Sequence, residues 1–576
     1  MNCTSSGHMR FVRRPPFSAL GKQMGPKKQA ICSPSEDNDM TEETRMPPPS
    51  VALTIHDVDT DLYSLRVEFE RIGGGRGQLD FPRGDTKRPT EIVRGLENAG
   101  AILPRSMKPK DLIDQVTATM PSTLIRTTKR GGWHGNSCFM QPHWSAGTGD
   151  LQWAQGNTNA DAVQGTAKAW KKGLEKPCAR SPFLCFSIGV AFAGPLMQLV
   201  GEDEGATFNL HGTSSSGKSL SSRACQSVFT RASKVDLCTY GASKRGLEEL
   251  CYRRNDLAVV LDDEAHLAGP SKKARSHEKT AIAFKIAGGS SDARSEVSGM
   301  RPMEWRTMGL TSGEQPLGER GRGEMVRHID IAIGQHPAGI FTGLGVERGD
   351  IKIRGAVLAA KVEETIANNF GVAMPAFVDK LIIDYEGSQQ RARELRTGFV
   401  DEVKASASWD RRLASKFGIV FAGMVLAARS GVAPWEEARA LPVVKTLYLK
   451  ARADQLTNDE LASEIFSVIG EEVAAGSIPE VRKGRVVEAK PLGFIRKIGG
   501  RRVVAVNPLK LGKHWGCLAR IADVARILSA RGIALPGTTK SPFIQLQVKR
   551  KKSTVRSRWL CIPFAALDIE AGSEKS

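Results

Sequence analysis

The sequence predicts an α/β fold with a phosphate-gripping core, and three short stretches predict it. NLHGTSSSGKSL (209–220) sets two glycines around four small residues and follows them with Lys218 and Ser219. LAVVLDDEAHL (257–267) is an apolar run that ends in three acidic residues. WRTMGLTSGEQPL (305–317) is a further short strand that ends in polar residues. Open α/β sheets build their ligand sites from residues delivered to the carboxyl ends of strands in this way.

The whole chain is consistent with that core. Its 576 residues correspond to about three or four domains. A composition of 40% hydrophobic and 25% charged residues is ordinary for a globular chain with a sizeable core. The formal net charge of +20 points to a polyanionic partner, nucleic acid first. The 10 cysteines include no C-x-x-C pair and no Cys/His group at zinc spacing. Reduced thiols are therefore expected, and with no apolar signal core near the N-terminus a cytoplasmic location is expected. PFLCFSIGVAFAGPLMQLVG (182–201) approaches the length of a membrane span. Ser187, Pro195 and Gln198 interrupt it, so a buried helix kinked at Pro195 is expected, and no membrane partner.

Taken in order, residues 1–50 are rich in Pro, Ser and mixed charge and read as a disordered arm. An α+β N-terminal domain follows over 52–145. LRVEFE (65–70) alternates at strand period, RIGGGRG turns, and QLDFP returns. Helices are expected near 90–100 and 108–119. A second hairpin is expected over 123–142, with its turn at Arg130 to Gly135. Residues 146–165 read as a linker. The P-loop core spans 166–345, opening on helices near 166–175 and 183–199. A helical region covers 346–475. A winged-helix-like domain covers 476–567, with a hairpin at Gly499-Gly500, an amphipathic helix (518–532) and two strands around a basic turn (543–564). Residues 568–576 are a tail.

The first stretch fits G-x-x-x-x-G-K-[ST] from Gly212 through Thr213, Ser214, Ser215, Ser216 and Gly217 to Lys218 and Ser219. The glycines let successive N–H groups curl toward phosphate oxygens. Lys218 reaches the β- and γ-phosphates, and Ser219 places a hydroxyl on Mg²⁺. ATFNL (206–210) supplies the strand that such a loop must follow. The acidic strand gives Asp262 to the metal and Asp263 or Glu264 to the attacking water. ATP and Mg²⁺ are therefore the expected cofactors. Thr311 or Ser312 can sense the γ-phosphate from the next strand, and Arg320, Arg322 and Arg327 are candidate arginine fingers for a neighbouring subunit.

The candidate nucleic-acid contacts are basic hairpins. Lys549, Arg550, Lys551 and Lys552 sit between two strands, with Arg556 and Arg558 just beyond. Such a tip can lie along a phosphate backbone, although lysines also guard exposed sheet edges. AGGSSDARSEVSGMRPMEW (287–305) reads as an inserted hairpin that carries Arg294 and Arg301.

Several of these stretches together resemble domain-of-unknown-function family 927, regarded as the AAA+-like ATPase domain of Cch-like helicases of mobile elements and phages. They are GGWHGNSCFMQP, AFAGPLMQLVGEDEGATFNLHGTSSSGKS, SKRGLEELCYRRNDLAVVLDDEAHL, WRTMGLTSGEQPL and GEMVRHIDI. The resemblance extends over about 52 to 565. It implies ATP binding by Gly212 to Ser219, metal and water handling by Asp262 and Asp263, and an arginine at Arg327. AGGSSDARS lacks the lysines that the family carries before its sensor strand. The combined expectation is an ATP-dependent DNA translocase or helicase, a homo-hexamer acting on single-stranded DNA in replication of a prophage or mobile element. The alternative is an ATP-switched DNA-binding initiator without strand separation.

Overall fold

A computed structural model describes residues 49–103, 108–118, 123–154, 163–262, 272–292, 302–316, 325–344, 350–481, 492–515, 517–538, 541–550 and 553–567. The N-terminal part holds β1 (Ser50–Asp57), β2 (Leu62–Glu70), β3 (Arg76–Pro82), α1 (Pro89–Asn98), α2 (Pro109–Ala118) and β4 (Leu124–Thr128). With β8 (Leu151–Trp153) these strands form a sheet in the order β3-β2-β1-β4-β8. Alternation in β2 sends Leu65, Val67 and Phe69 under α1 and α2, where Ile92, Leu96, Leu112 and Val116 meet them.

The expected hairpin at Arg130–Gly135 is not formed. β4 pairs in parallel with β1 and β8, and a separate sheet is made by β5 (Gly132–His134), β6 (Cys138–Gln141) and β7 (Trp144–Gly147). The glycine pair serves close approach and not a turn. A Cβ at Gly131 would lie 2.1 Å from Arg253 O. The expected linker at 146–165 likewise contains the end of β7 and all of β8. Trp133, Phe139 and Ala146 of the small sheet pack into the central core.

That core opens with α3 (Ala167–Arg180), α4 (Pro182–Ala193) and α5 (Leu196–Val200). The apolar stretch is thus a buried helix broken at Gly194-Pro195, as its Pro dictates. Among the described residues no helix is long and apolar enough to cross a membrane. There follow β9 (Ala206–His211), α6 (Lys218–Ser227), β10 (Cys238–Thr239), α7 (Lys244–Arg253), β11 (Leu257–Asp262), α8 (Lys272–Gly288), β12 (Thr307–Gly313) and β13 (His328–Ala332). The sheet order is β10-β11-β12-β9-β13, and every pairing is parallel. These strands therefore all end at one edge.

Helices then cover the core: α9 (Ile351–Asn368), α10 (Ala373–Ile383), α11 (Tyr385–Glu402), α12 (Ser408–Arg429), α13 (Ala440–Gln455) and α14 (Asn458–Ala474). α12 lays Phe417, Val420 and Met424 on α4 and the sheet, so both faces of α4 are buried.

The C-terminal part contains both expected hairpins and the expected helix between them. β14 (Gly493–Ile498), β15 (Arg501–Val506), α15 (Pro508–His514), α16 (Ile521–Ala530), β16 (Ile544–Arg550) and β17 (Ser553–Pro563) bring two hairpins into one sheet, β14-β15-β17-β16. β17 pairs with β16 from Ser553 to Trp559 and with β15 from Leu560 to Pro563. One face packs on α14 and α16; the other closes on itself around Phe494, Leu546, Val548 and Trp559. Arg496 Nη1 donates to Gln547 O at 3.2 Å, so the two edge strands meet.

Candidate functional site

The loop after β9 turns through residues whose backbone leaves ordinary space. Ser215 has φ +59° and Gly217 φ +94°, both left-handed. A non-glycine residue held there marks a locally over-determined backbone. Gly217 caps α6, and a Cβ on it would lie 3.0 Å from Ile340. Lys218 starts the helix, largely buried, and its Nζ donates to Gly212 O at 2.9 Å and Thr213 O at 2.8 Å. The ammonium is thus folded over its own loop. Ser216 Oγ is buried with no hydrogen-bond partner among the described residues, and Ser219 is exposed on the first helical turn. The N–H groups of a helix start, with a lysine beside them, suit an anion. Leu220 and Ala224 anchor α6 beneath the sheet.

Asp262 ends β11, and Ser312 Oγ donates to its Oδ1 across β12. Their face of the sheet carries Val260, Leu310 and Leu210, which pack with Leu220 and Ala224 of α6. Thr311 points the other way, toward α8. Its Oγ1 donates to Asn209 Oδ1 at 3.2 Å, and Asn209 Nδ2 donates to Asp330 Oδ1 at 2.6 Å. Thr311 and Asn209 are fully buried. The paired expectation for Thr311 and Ser312 therefore divides: strand alternation gives Ser312 to the phosphate-loop face and Thr311 to the interior. The Asp262 carboxylate at this edge and the Ser219 hydroxyl at the start of α6 are oxygen donors of the kind that would suit a magnesium with water and phosphate oxygens as its other ligands. Among the described residues no group of three or more metal-type side chains gathers anywhere.

Arg327 lies at the opposite edge. Thr207 N, near the start of β9, donates to Arg327 O at 2.7 Å. A six-residue strand separates that end from the loop, about 20 Å of rise. Arg327 Nε donates to Glu204, which Arg412 also meets at 3.2 Å. Burial works to raise the Glu204 carboxyl, but Arg327, Lys416 and Arg412 outweigh it and hold it below the usual range. Arg327 is thus placed away from its own phosphate loop.

Asp263, Glu264, Arg294, Arg301, Arg320, Arg322, Lys551 and Lys552 lie outside the described residues. The base of the 287–305 insertion is described: Ser290 bridges Glu304 in antiparallel register. Lys549 and Arg550 end β16, and Arg550 pairs with Ser553 of β17 in antiparallel register. Arg556 and Arg558 are exposed on β17.

Two arrangements near the site are not read from the sequence motifs, although Asn209 and Thr311 lie within them. One is the Asn209–Thr311–Asp330 ladder, whose sequence signal is a polar residue inside a buried strand. The other is Gly334–Leu344, where Ile340 N donates to Ser216 O at 2.9 Å. Its Gly- and Pro-containing sequence marks a loop without saying what the loop covers.

Comparison with known proteins adds a family and a fold. The family described as "Domain of unknown function (DUF927)" matches residues 31–302. No curated protein matches the chain. A solved structure titled "SCCmec type IV Cch - active helicase" aligns at TM-score 0.52 and 13% identity, over 91% of this chain and 95% of that one. At that identity the likeness is one of fold. The apo A-form structure of the NrS-1 C-terminal region aligns at TM-score 0.22 and 10% identity, over 88% of this chain and 95% of that one, and lends no support to any assignment. The match over residues 31–302, which takes in the GGWH segment, the Gly212–Ser219 loop and the strand ending at Asp262, identifies this part of the chain as a domain of the DUF927 family.

Proposed function

We infer that the chain is an ATP-hydrolysing motor that translocates on DNA, a helicase of a prophage or mobile element. The observation that carries this reading is the single sheet edge that gathers the Gly212–Ser219 loop, Asp262 and Ser312. Bound ATP with Mg²⁺ would supply a phosphoryl group for transfer to water. Backbone N–H groups of the loop and Lys218 would hold the phosphates. Ser219 and Asp262 would hold the metal, and Asp263 or Glu264 would orient the water. Ser312 is well placed to register the γ-phosphate through Asp262. Arg327 serves a neighbouring copy in this reading, because its own loop lies beyond its reach. A homo-hexamer gives each loop such a neighbour.

The charge of +20 supports DNA as the polyanion, and the exposed Arg556 and Arg558 extend the basic Lys549–Lys552 tip. Arg294 and Arg301 would follow the strand from the inserted hairpin. The domain plan that goes with this reading is the arm to 50, the α+β domain to 145, the core over 166–345, helices to 475 and the C-terminal domain to 567. The fold shared with a helicase structure fits it, and a cytoplasmic location goes with it.

The test is ATP turnover with and without single-stranded DNA, paired with mass measurement of the assembly. Strong acceleration by DNA in a ring-sized assembly is expected. Slow turnover indifferent to DNA, with assembly that depends on ATP, would instead fit the initiator reading.

A further inference from the structure

The segment Gly334–Leu344 leaves β13 and crosses the phosphate loop. Gly339 comes so close that a Cβ there would lie 2.3 Å from Ser216 O, the same carbonyl that accepts from Ile340 N. Ile340 and Phe341 are buried in the central core. The far end is tied to α3: Gly343 N donates to Arg180 O at 2.9 Å, and Arg180 Nη1 donates to Gly343 O at 3.3 Å. In between, Ala338 meets α9, where a Cβ on Gly355 would lie 2.7 Å from the Ala338 Cβ. α9 also touches the phosphate helix, through Arg223 and Glu363 at 3.2 Å.

We propose that Gly334–Leu344 is a strap that positions the phosphate loop through Ser216 and relays the filling of that loop to α9, with Gly339, Ile340 and Gly355 as its positioning residues. The proposal rests on the loop being a nucleotide site. Three observations carry it. The loop's lysine is folded onto the carbonyls of Gly212 and Thr213, so gripping phosphate requires its ammonium to leave them and frees two carbonyls of the loop. Ser216, the residue the strap holds, has a buried hydroxyl without a partner among the described residues, as a loop awaiting a ligand would. The strap contacts both Ser216 and α9 at distances that admit no extra methyl group, and interiors packed so closely pass a shift on instead of absorbing it. The strap thereby joins nucleotide binding to the first helix of the helical region.

Hydrogen exchange on the full chain tests this, with ADP and a non-hydrolysable ATP analogue as probes. In the natural protein both should slow exchange about tenfold in 212–219 and also in 351–360. Gly355→Ala adds a methyl group whose nearest neighbours all belong to Ala338, so it disturbs the contact of strap with helix and not that of strap with Ser216, and alanine suits a helix interior. It should keep the protection of 212–219 and lose that of 351–360. Gly339→Ala should weaken nucleotide binding itself, raising KM for ATP by more than it lowers kcat. Loop protection without α9 protection in the natural protein would overturn the strap, as would α9 protection that survives Gly355→Ala. Absence of protection at 212–219 would instead overturn the nucleotide reading on which the strap rests.

Discussion

At the scale of residues, strand alternation separates side chains that adjoin in sequence. Thr311 and Ser312 both end a strand beside the acidic one, and either hydroxyl could serve a phosphate on sequence grounds. The register pairs Leu261 with Thr311, so Asp262 falls opposite Ser312 and shares its face. Thr311 instead bonds Asn209 beneath α8. The two substitutions should therefore part company. Ser312→Ala should lower ATP turnover about tenfold or more with little change in unfolding free energy. Thr311→Val should cost about 1–3 kcal/mol in denaturant unfolding, because Asn209 is left short of a buried partner. Equal loss of turnover in both variants would contradict the assignment of faces. Buried thiols add nothing to this chemistry: burial pushes Cys225 and Cys251 well above the usual thiol range.

At the scale of elements, the GGWH segment is a docking device. Trp133 N donates to Asp256 Oδ2 at 3.0 Å, Trp133 Nε1 to Pro195 O at 2.8 Å, and Asn255 Nδ2 to Gly131 O at 2.9 Å. The segment thus seats the small β5-β6-β7 sheet on the amino-terminal edge of the core, far from the phosphate loop. Trp133→Ala should cost about 3–5 kcal/mol and lower Tm, with KM for ATP little changed. A large rise in KM without loss of Tm would point instead to a role at the nucleotide. The β16–β17 hairpin belongs to the same scale. Neutralising Lys549, Arg550, Lys551 and Lys552 should weaken DNA binding and reduce the log–log salt slope by ~0.9 for each phosphate the tip no longer neutralises. An unchanged slope would return the tip to a solvated sheet edge.

At the scale of the whole molecule, the legible parts are those with local cause. The strand, loop and helix over 206–227, the strand ending at Asp262 and the buried helix broken at Pro195 each announce themselves through spacing, apolar runs or proline. The sheet order does not. Nothing in LAVVLDD says that β12 lies between it and the phosphate loop, because pairing between distant strands is decided by packing across the whole core. The glycines at 131–132 mislead for a similar reason. They read as a turn, but the need they meet is clearance against Arg253, which sequence proximity cannot reveal. The strap at 334–344, and the joining of the two C-terminal hairpins into one sheet through β15 and β17, are legible only once their distant partners are in place.

All of this turns on a nucleotide held by Gly212–Ser219 and hydrolysed with the support of the acidic edge. Steady-state ATP hydrolysis by the natural chain and by Lys218→Ala tests it most directly, with circular dichroism to establish that both are folded. Turnover is expected in the natural chain, with a loss of about a hundredfold or more in the variant, since a charge on the β- and γ-phosphates is removed. A folded Lys218→Ala chain with undiminished hydrolysis would contradict the nucleotide site.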